Sequence, residues 1–133
     1  MSVSSEKHMI AVVDDDRAVA KGMQRLLQSS GLNAITFTSG AEFLESVTST
    51  VPDCVLLDLV MPEPDGFTVQ ARLTAVGVTT PVIFLSASRD LDQRRQALAA
   101  GAFAFLEKAV DEEVLLDTIA SALRGAGSRP ASS

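Results

Sequence analysis

Asp58 closes an apolar run, Cys54 to Leu57, and the chain turns away at once through Met61, Pro62, Glu63, Pro64, Asp65 and Gly66. A second apolar run, Ile10 to Val13, stops abruptly at Asp14, Asp15 and Asp16. If both runs are strands lying parallel and side by side, three or four carboxylates meet at one edge of a sheet. Carboxylates held that close in an apolar crevice repel one another, so one takes up a proton unless a cation intervenes. Magnesium, or manganese in its place, is the expected cation. It prefers oxygen ligands and keeps several waters, so two or three carboxylates and a backbone carbonyl suit it.

Lys108 follows another short apolar stretch and can bring an ammonium to the same edge. A metal and an ammonium on opposite sides of Asp58 would clamp the oxygens of a transferring phosphoryl group, a reaction in which positioning and charge neutralisation supply most of the catalysis. Asp58 is then the carboxylate nucleophile. Ser86, at the end of Val82 to Leu85, offers a hydroxyl to the same oxygens, with Ser88 expected to cap the helix that follows. Asp16 is better placed to cap the first helix.

Five strand-length runs position these residues: Ile10 to Val13, Ala34 to Phe37, Cys54 to Leu57, Val82 to Leu85 and Ala104 to Leu106. Helical stripes separate them. Val19, Met23, Leu26 and Leu27 form the first, stopped by Gly31; Phe43, Leu44 and Val47 form the second, introduced by a capping box from Ser39 to Glu42. Phe67, Gln70, Leu73 and Val76 outline the third, and Leu91 to Ala100 the fourth, ended by Gly101. Leu115, Ile119, Ala122 and Leu123 mark the fifth, opened by Asp111.

Strand-helix units repeated in this way make a parallel sheet with helices on both faces, because each crossover is right-handed and must cover the sheet. Ligands bind such sheets beyond the carboxyl ends of the strands. Asp14 to Asp16, Asp58, Ser86 and Lys108 all fall at those ends.

The 133 residues suit a single domain, expected over 9–124, with a disordered leader at 1–8 and a flexible tail or linker stub at 125–133. Seventeen acidic against eleven basic side chains give a net charge of -6, which opposes direct binding to nucleic acid or anionic lipid. Cys54, the only cysteine, can form no internal disulfide. With no apolar stretch of bilayer length and no signal-peptide core before Asp14, a cytoplasmic location is expected.

Val12, Val13, Asp14 and Asp15; Asp58 followed by Met61, Pro62, Asp65 and Gly66; Ser86 and Ala87; and Lys108 occur in the order and spacing of a known family. The chain resembles the receiver domains of two-component response regulators, similar in layout to the bacterial chemotaxis regulator, over essentially all of its ordered length. The resemblance implies a flavodoxin-like α/β fold with strand order 2-1-3-4-5. It makes Asp58 the phosphoacceptor, Asp15 a direct magnesium ligand, Asp14 a second, often water-mediated ligand, and the Val60 carbonyl the remaining protein ligand. Ser86 becomes the switch hydroxyl, Lys108 the phosphoryl-binding cation, and Phe105 an aromatic that moves inward when Ser86 is drawn to the phosphoryl group. The implied donor is a sensor histidine kinase or a phosphotransfer protein. Phosphorylation would switch a surface of the fourth and fifth strands and helices, with a homodimer through the helix 4, strand 5, helix 5 face. Such a domain is a signalling phosphoacceptor rather than an enzyme, assisting only its own phosphorylation and dephosphorylation.

The chain departs from the family where proline normally follows the lysine: Ala109 stands there. A cis bond before a residue other than proline costs roughly 2.5 to 4 kcal/mol, so trans is expected at Ala109. Phe105 carries no hydroxyl, so switching would rest on packing, and Val60 has no polar side chain to guide a hydrolytic water. Two other readings are weighed beside the phosphoacceptor. One is a non-phosphorylated pseudo-receiver acting as a docking or dimerisation module. The other takes Asp14 and Asp16 as the nucleophile pair of a haloacid-dehalogenase-type phosphatase, against which Ala18 and the lack of room for a cap both count.

Overall fold

In the computed structural model, residues 8–87 and 90–128 are described. Five strands, β1 (Met9–Val13), β2 (Asn33–Phe37), β3 (Cys54–Asp58), β4 (Val82–Ser86) and β5 (Ala104–Glu107), alternate with five helices. The helices are α1 (Arg17–Ser29), α2 (Gly40–Val47), α3 (Gly66–Ala75), α4 (Leu91–Ala99) and α5 (Glu112–Ser128). Every strand pairing is parallel, in the order β2-β1-β3-β4-β5. This is the flavodoxin-like, doubly wound sheet.

Side-chain alternation along the strands divides the core in two. Ala11, Val13, Val55, Leu57, Phe84 and Phe105 pack with Phe43 and Val47 of α2, Val69 and Leu73 of α3 and Ala97 of α4. Ile10, Val12, Cys54, Leu56, Ile83 and Leu85 pack with Ala20 and Leu27 of α1 and Leu115, Ile119 and Ala122 of α5. Covered on both faces, β3 and β4 are buried at every position. Such strands show continuous apolar runs rather than alternation in sequence. Cys54 lies wholly inside this core, and burial pushes its thiol up to about 12.

Helix boundaries follow local hydrogen bonding. Asp16 caps α1, accepting from the amides of Ala18 and Val19 at 3.0 and 3.2 Å. Asp16 thus serves as the helix cap expected of it. Ser39 Oγ accepts from the Glu42 amide at 3.1 Å, while Glu42 reaches back to the Thr38 amide at 3.3 Å rather than to Ser39 itself. Gly31, with φ of 88°, follows α1 in the left-handed region that glycine tolerates.

One expectation needs correction. Asp90, not Ser88, caps α4, accepting from the amides of Asp92 at 2.8 Å and Gln93 at 3.4 Å; Ser88 lies outside the described residues. An aspartate one position before the helix satisfies the first-turn amides directly. Helix α5 runs from Glu112 to Ser128. Once anchored by Leu115, Ile119 and Ala122, each added residue gains a hydrogen bond without a new nucleation step. Buried Gln70 is a polar member of the α3 stripe, donating from Nε2 to the Ala100 carbonyl at 3.1 Å. Residues 1–7 and 129–133, where the leader and the end of the tail were expected, lie outside the described residues.

Candidate functional site

The sheet register assembles the site. Val13 pairs with Leu57, so Asp14 leaves β1 where Asp58 ends β3. Asp58 in turn faces Leu85, one residue before Ser86, and Ser86 faces Glu107, one residue before Lys108. Residues far apart in sequence therefore share one rim because three adjacent pairings hold in register.

Asp14 and Asp58 are buried, with 3% and 4% exposure, whereas Asp15 is exposed. Carboxylate oxygens of all three lie within 4.8 Å of one another. Lys108 Nζ bridges two of them, 3.0 Å from Asp14 Oδ2 and 3.2 Å from Asp58 Oδ2. The other oxygens are held by backbone: Asp58 Oδ1 accepts from the Val60 amide at 3.2 Å, and Asp14 Oδ1 from the Asp16 amide at 2.9 Å. The loop carrying Val60 is pinned at both ends, the Leu59 amide donating to the Leu85 carbonyl and the Gly66 amide to the Leu59 carbonyl, each at 3.1 Å. Asp65 caps α3 by accepting from the Thr68 amide at 2.9 Å.

Burial raises the Asp58 carboxyl to about 6; the negative charge of Asp14 adds to the rise, and Lys108 with the Val60 amide opposes it. Lys108 is also raised on balance. Burial alone would lower it, but hydrogen bonds and charge from Asp14 and Asp58 carry it above the usual lysine value. A crowded pair of carboxylates with one ammonium is thus short of positive charge, as carboxylates awaiting a cation should be.

The donor set fits magnesium or manganese: hard oxygen ligands on two strands, one exposed toward water. An octahedral magnesium ion sets its ligand oxygens about 3 to 4 Å apart, so small side-chain rotations would let Asp14, Asp15 and Asp58 share one.

Ser86 is fully buried at the end of β4, and its carbonyl accepts from the Lys108 amide at 2.8 Å. Phe105 is turned into the core, with 5% exposure, and its carbonyl accepts from Arg94 Nη1 of α4 at 3.3 Å. Glu63–Pro64 is the cis peptide bond among the described residues, so Lys108–Ala109 is trans. The Val60 amide on Asp58 and the Arg94 tether on Phe105 were not foreseen. Both depend on where backbone atoms point, for which residue identity gives no signal.

A doubly wound parallel sheet with acidic side chains and a lysine gathered at its carboxyl rim defines a class of α/β domain built to handle charged ligands there. Comparison with known proteins narrows the class. The model of the response regulator receiver domain matches residues 10–120. Response regulator protein TmoT of Ectopseudomonas mendocina is 37% identical over 122 residues, covering 92% of this chain and 56% of its own. Transcriptional regulatory protein TdiR of Thauera aromatica is 39% identical over 114 residues, covering 86% and 50%. A crystal structure of a response regulator receiver protein from Burkholderia phymatum is 44% identical with a TM-score of 0.79, covering 89% of this chain and 96% of that one. The chain belongs to the response regulator receiver domains, the signalling modules of two-component systems. It spans about half the length of the curated relatives it matches. Among the described residues, no helix is long and apolar enough to cross a membrane.

Proposed function

We propose that the chain is a phosphoacceptor receiver in which Asp58 takes a phosphoryl group from a histidine kinase or phosphotransfer protein. The observation that carries this reading is the approach of Asp14, Asp15 and Asp58 within 4.8 Å, with Lys108 bonded to two of them. In the transfer, an Asp58 oxygen attacks phosphorus and forms a P–O bond as the P–N bond to the donor imidazole breaks; the leaving nitrogen takes a proton. A magnesium ion held by Asp14, Asp15, Asp58 and the Val60 carbonyl would neutralise charge on the phosphoryl oxygens. Lys108 neutralises it from the other side, already positioned by two carboxylates. The Val60 amide orients Asp58 by holding one of its oxygens. Ser86 and Lys108, joined through backbone, supply the differential contacts by which a new dianion would favour a second conformation.

The surface that responds is the α4–β5–α5 face, with Phe105 moving by packing alone. Exposed Leu91 and Leu98 on α4 and Val114 on α5 make that face suitable for a homodimer. A cytoplasmic setting matches a kinase-fed module. Since TdiR is a transcriptional regulatory protein of which the matched region is only half, a transcriptional output fits, delivered by a part other than this acidic domain. Ala109 in place of the usual proline is the one feature that favours a docking-only module, and the grouping of Asp14, Asp15 and Asp58 with Lys108 weighs against it.

Incubation with acetyl phosphate and magnesium, followed by intact mass, tests the proposal. A single phosphoryl adduct that disappears in Asp58→Asn supports it; no adduct on the wild-type chain overturns it.

A further inference from the structure

The loop from Leu59 to Asp65, which presents the Val60 amide to Asp58, is gripped from two directions, and each grip falls on a glycine. At its base, a Cβ on Gly66 would lie 2.8 Å from both the Asp58 carbonyl and the Leu59 Cα. This contact belongs to the loop's own closure. On the outer side stands a residue from a different element. A Cβ on Gly40, the first residue of α2, would lie 2.8 Å from the Pro64 carbonyl, 3.0 Å from Pro64 Cγ and 2.7 Å from Val69 Cγ2. Gly40 is buried, and its φ is negative, so nothing about its own backbone demands glycine. The demand comes from proximity: the first turn of α2 bears directly on the loop. By contrast, a Cβ on Gly22 in α1 would meet nothing within 4 Å.

We propose that Gly40 is a positioning residue for the phosphoacceptor site, resting on the receiver reading above. By omitting a side chain it lets α2 seat against Pro64 and brace the loop, so that Val60 is held at Asp58 and offered to the metal. Ser39 fixes the height of that first turn by capping it, accepting from the Glu42 amide. Any side chain at position 40 meets both neighbours, so Val69 must turn aside and Pro64 must move along the loop. Backbone at Pro64 cannot swing aside as a flexible side-chain end would, so the loop shifts relative to Asp58. Support placed behind metal ligands in this way typically controls affinity by roughly tenfold or more.

The test uses four chains: wild type, Gly40→Ala, Val69→Ala and the double variant, with Gly22→Ala as a control. Magnesium affinity is measured by calorimetry, thermal stability by melting with a chelator present, and the Val60 and Glu63 amide resonances by NMR without metal. Gly40→Ala should weaken magnesium binding roughly tenfold and move the Val60 and Glu63 amides. Val69→Ala should lower stability and leave affinity near wild type. In the double variant the Val69 conflict is gone and the Pro64 conflict remains, so affinity should stay weak. Gly22→Ala should bind as wild type and melt no lower. Wild-type affinity in folded Gly40→Ala, or its recovery in the double variant, overturns the proposal. Unfolding of both Gly40 variants overturns it too, because Gly40 would then be a core residue only. Failure of the wild-type chain to bind magnesium would instead remove the receiver reading itself.

Discussion

The Lys108 amide donates to the Ser86 carbonyl at 2.8 Å. The two side chains expected to touch the phosphoryl oxygens are therefore fixed to each other through one rung of the β4–β5 ladder. Movement of either strand end carries both. Ser86→Ala should keep this rung and the fold. Asp58 should still acquire its phosphoryl adduct, but the shift of α4 and β5 amide resonances that follows should shrink. Full retention of that shift would assign the switch to Lys108 alone.

Lys108→Ala should slow adduct formation from acetyl phosphate by about 10²-fold, the scale for removing one charge-stabilising donor. Lys108→Arg should recover only part, because a planar guanidinium does not substitute for a point charge lodged between Asp14 and Asp58. Intact-mass time courses measure both. Equal rates in all three chains would show the ammonium to be structural.

Asp58 gives a pH dependence whose sign is fixed. Its carboxyl stands at about 6 in the fold against an ordinary 3.8, so the native state binds the proton more tightly than the unfolded chain. Its favourable contribution is complete below pH 3.8 and is lost as pH rises through about 6. Without metal, Asp58→Asn should thus be more stable than wild type at pH 7 by about 1 kcal/mol, a value discounted for the solvent-facing rim. The gap should close toward pH 4. Melting of both chains across that range, with chelator, reads it out. A gap that widens on acidification would contradict the assignment.

Neighbouring aspartates should separate by function. Asp15→Asn should weaken magnesium binding at least tenfold with little change in melting temperature, since Asp15 is exposed. Asp16→Ala should do the opposite, costing about 1 kcal/mol of stability through loss of the α1 cap while leaving affinity unchanged. Calorimetry beside thermal melts distinguishes them.

The parallel sheet was legible because buried strands write themselves as unbroken apolar runs, and the rim residues follow from where those runs stop. Asp14, Asp58 and Lys108 come together as their positions imply. What escaped the sequence depends on close approach or on backbone direction. Gly40 reads as part of a capping box, with no sign that Pro64 presses on it from another segment. Gln70 reads as one position of a helical stripe, although its amide is buried against Ala100. The α4 cap went to Asp90 because Ser88 and Asp90 are both chemically suited and only the turn geometry chooses.

Cys54 turns the sheet into its own clock. Its sulfur starts the central strand, sealed from solvent and held as a thiol, so an alkylating reagent can reach it only when the layer of α1 and α5 lifts from that face of the sheet. The labelling rate would count openings of that layer, and any occupant that tightens the distant rim would slow it.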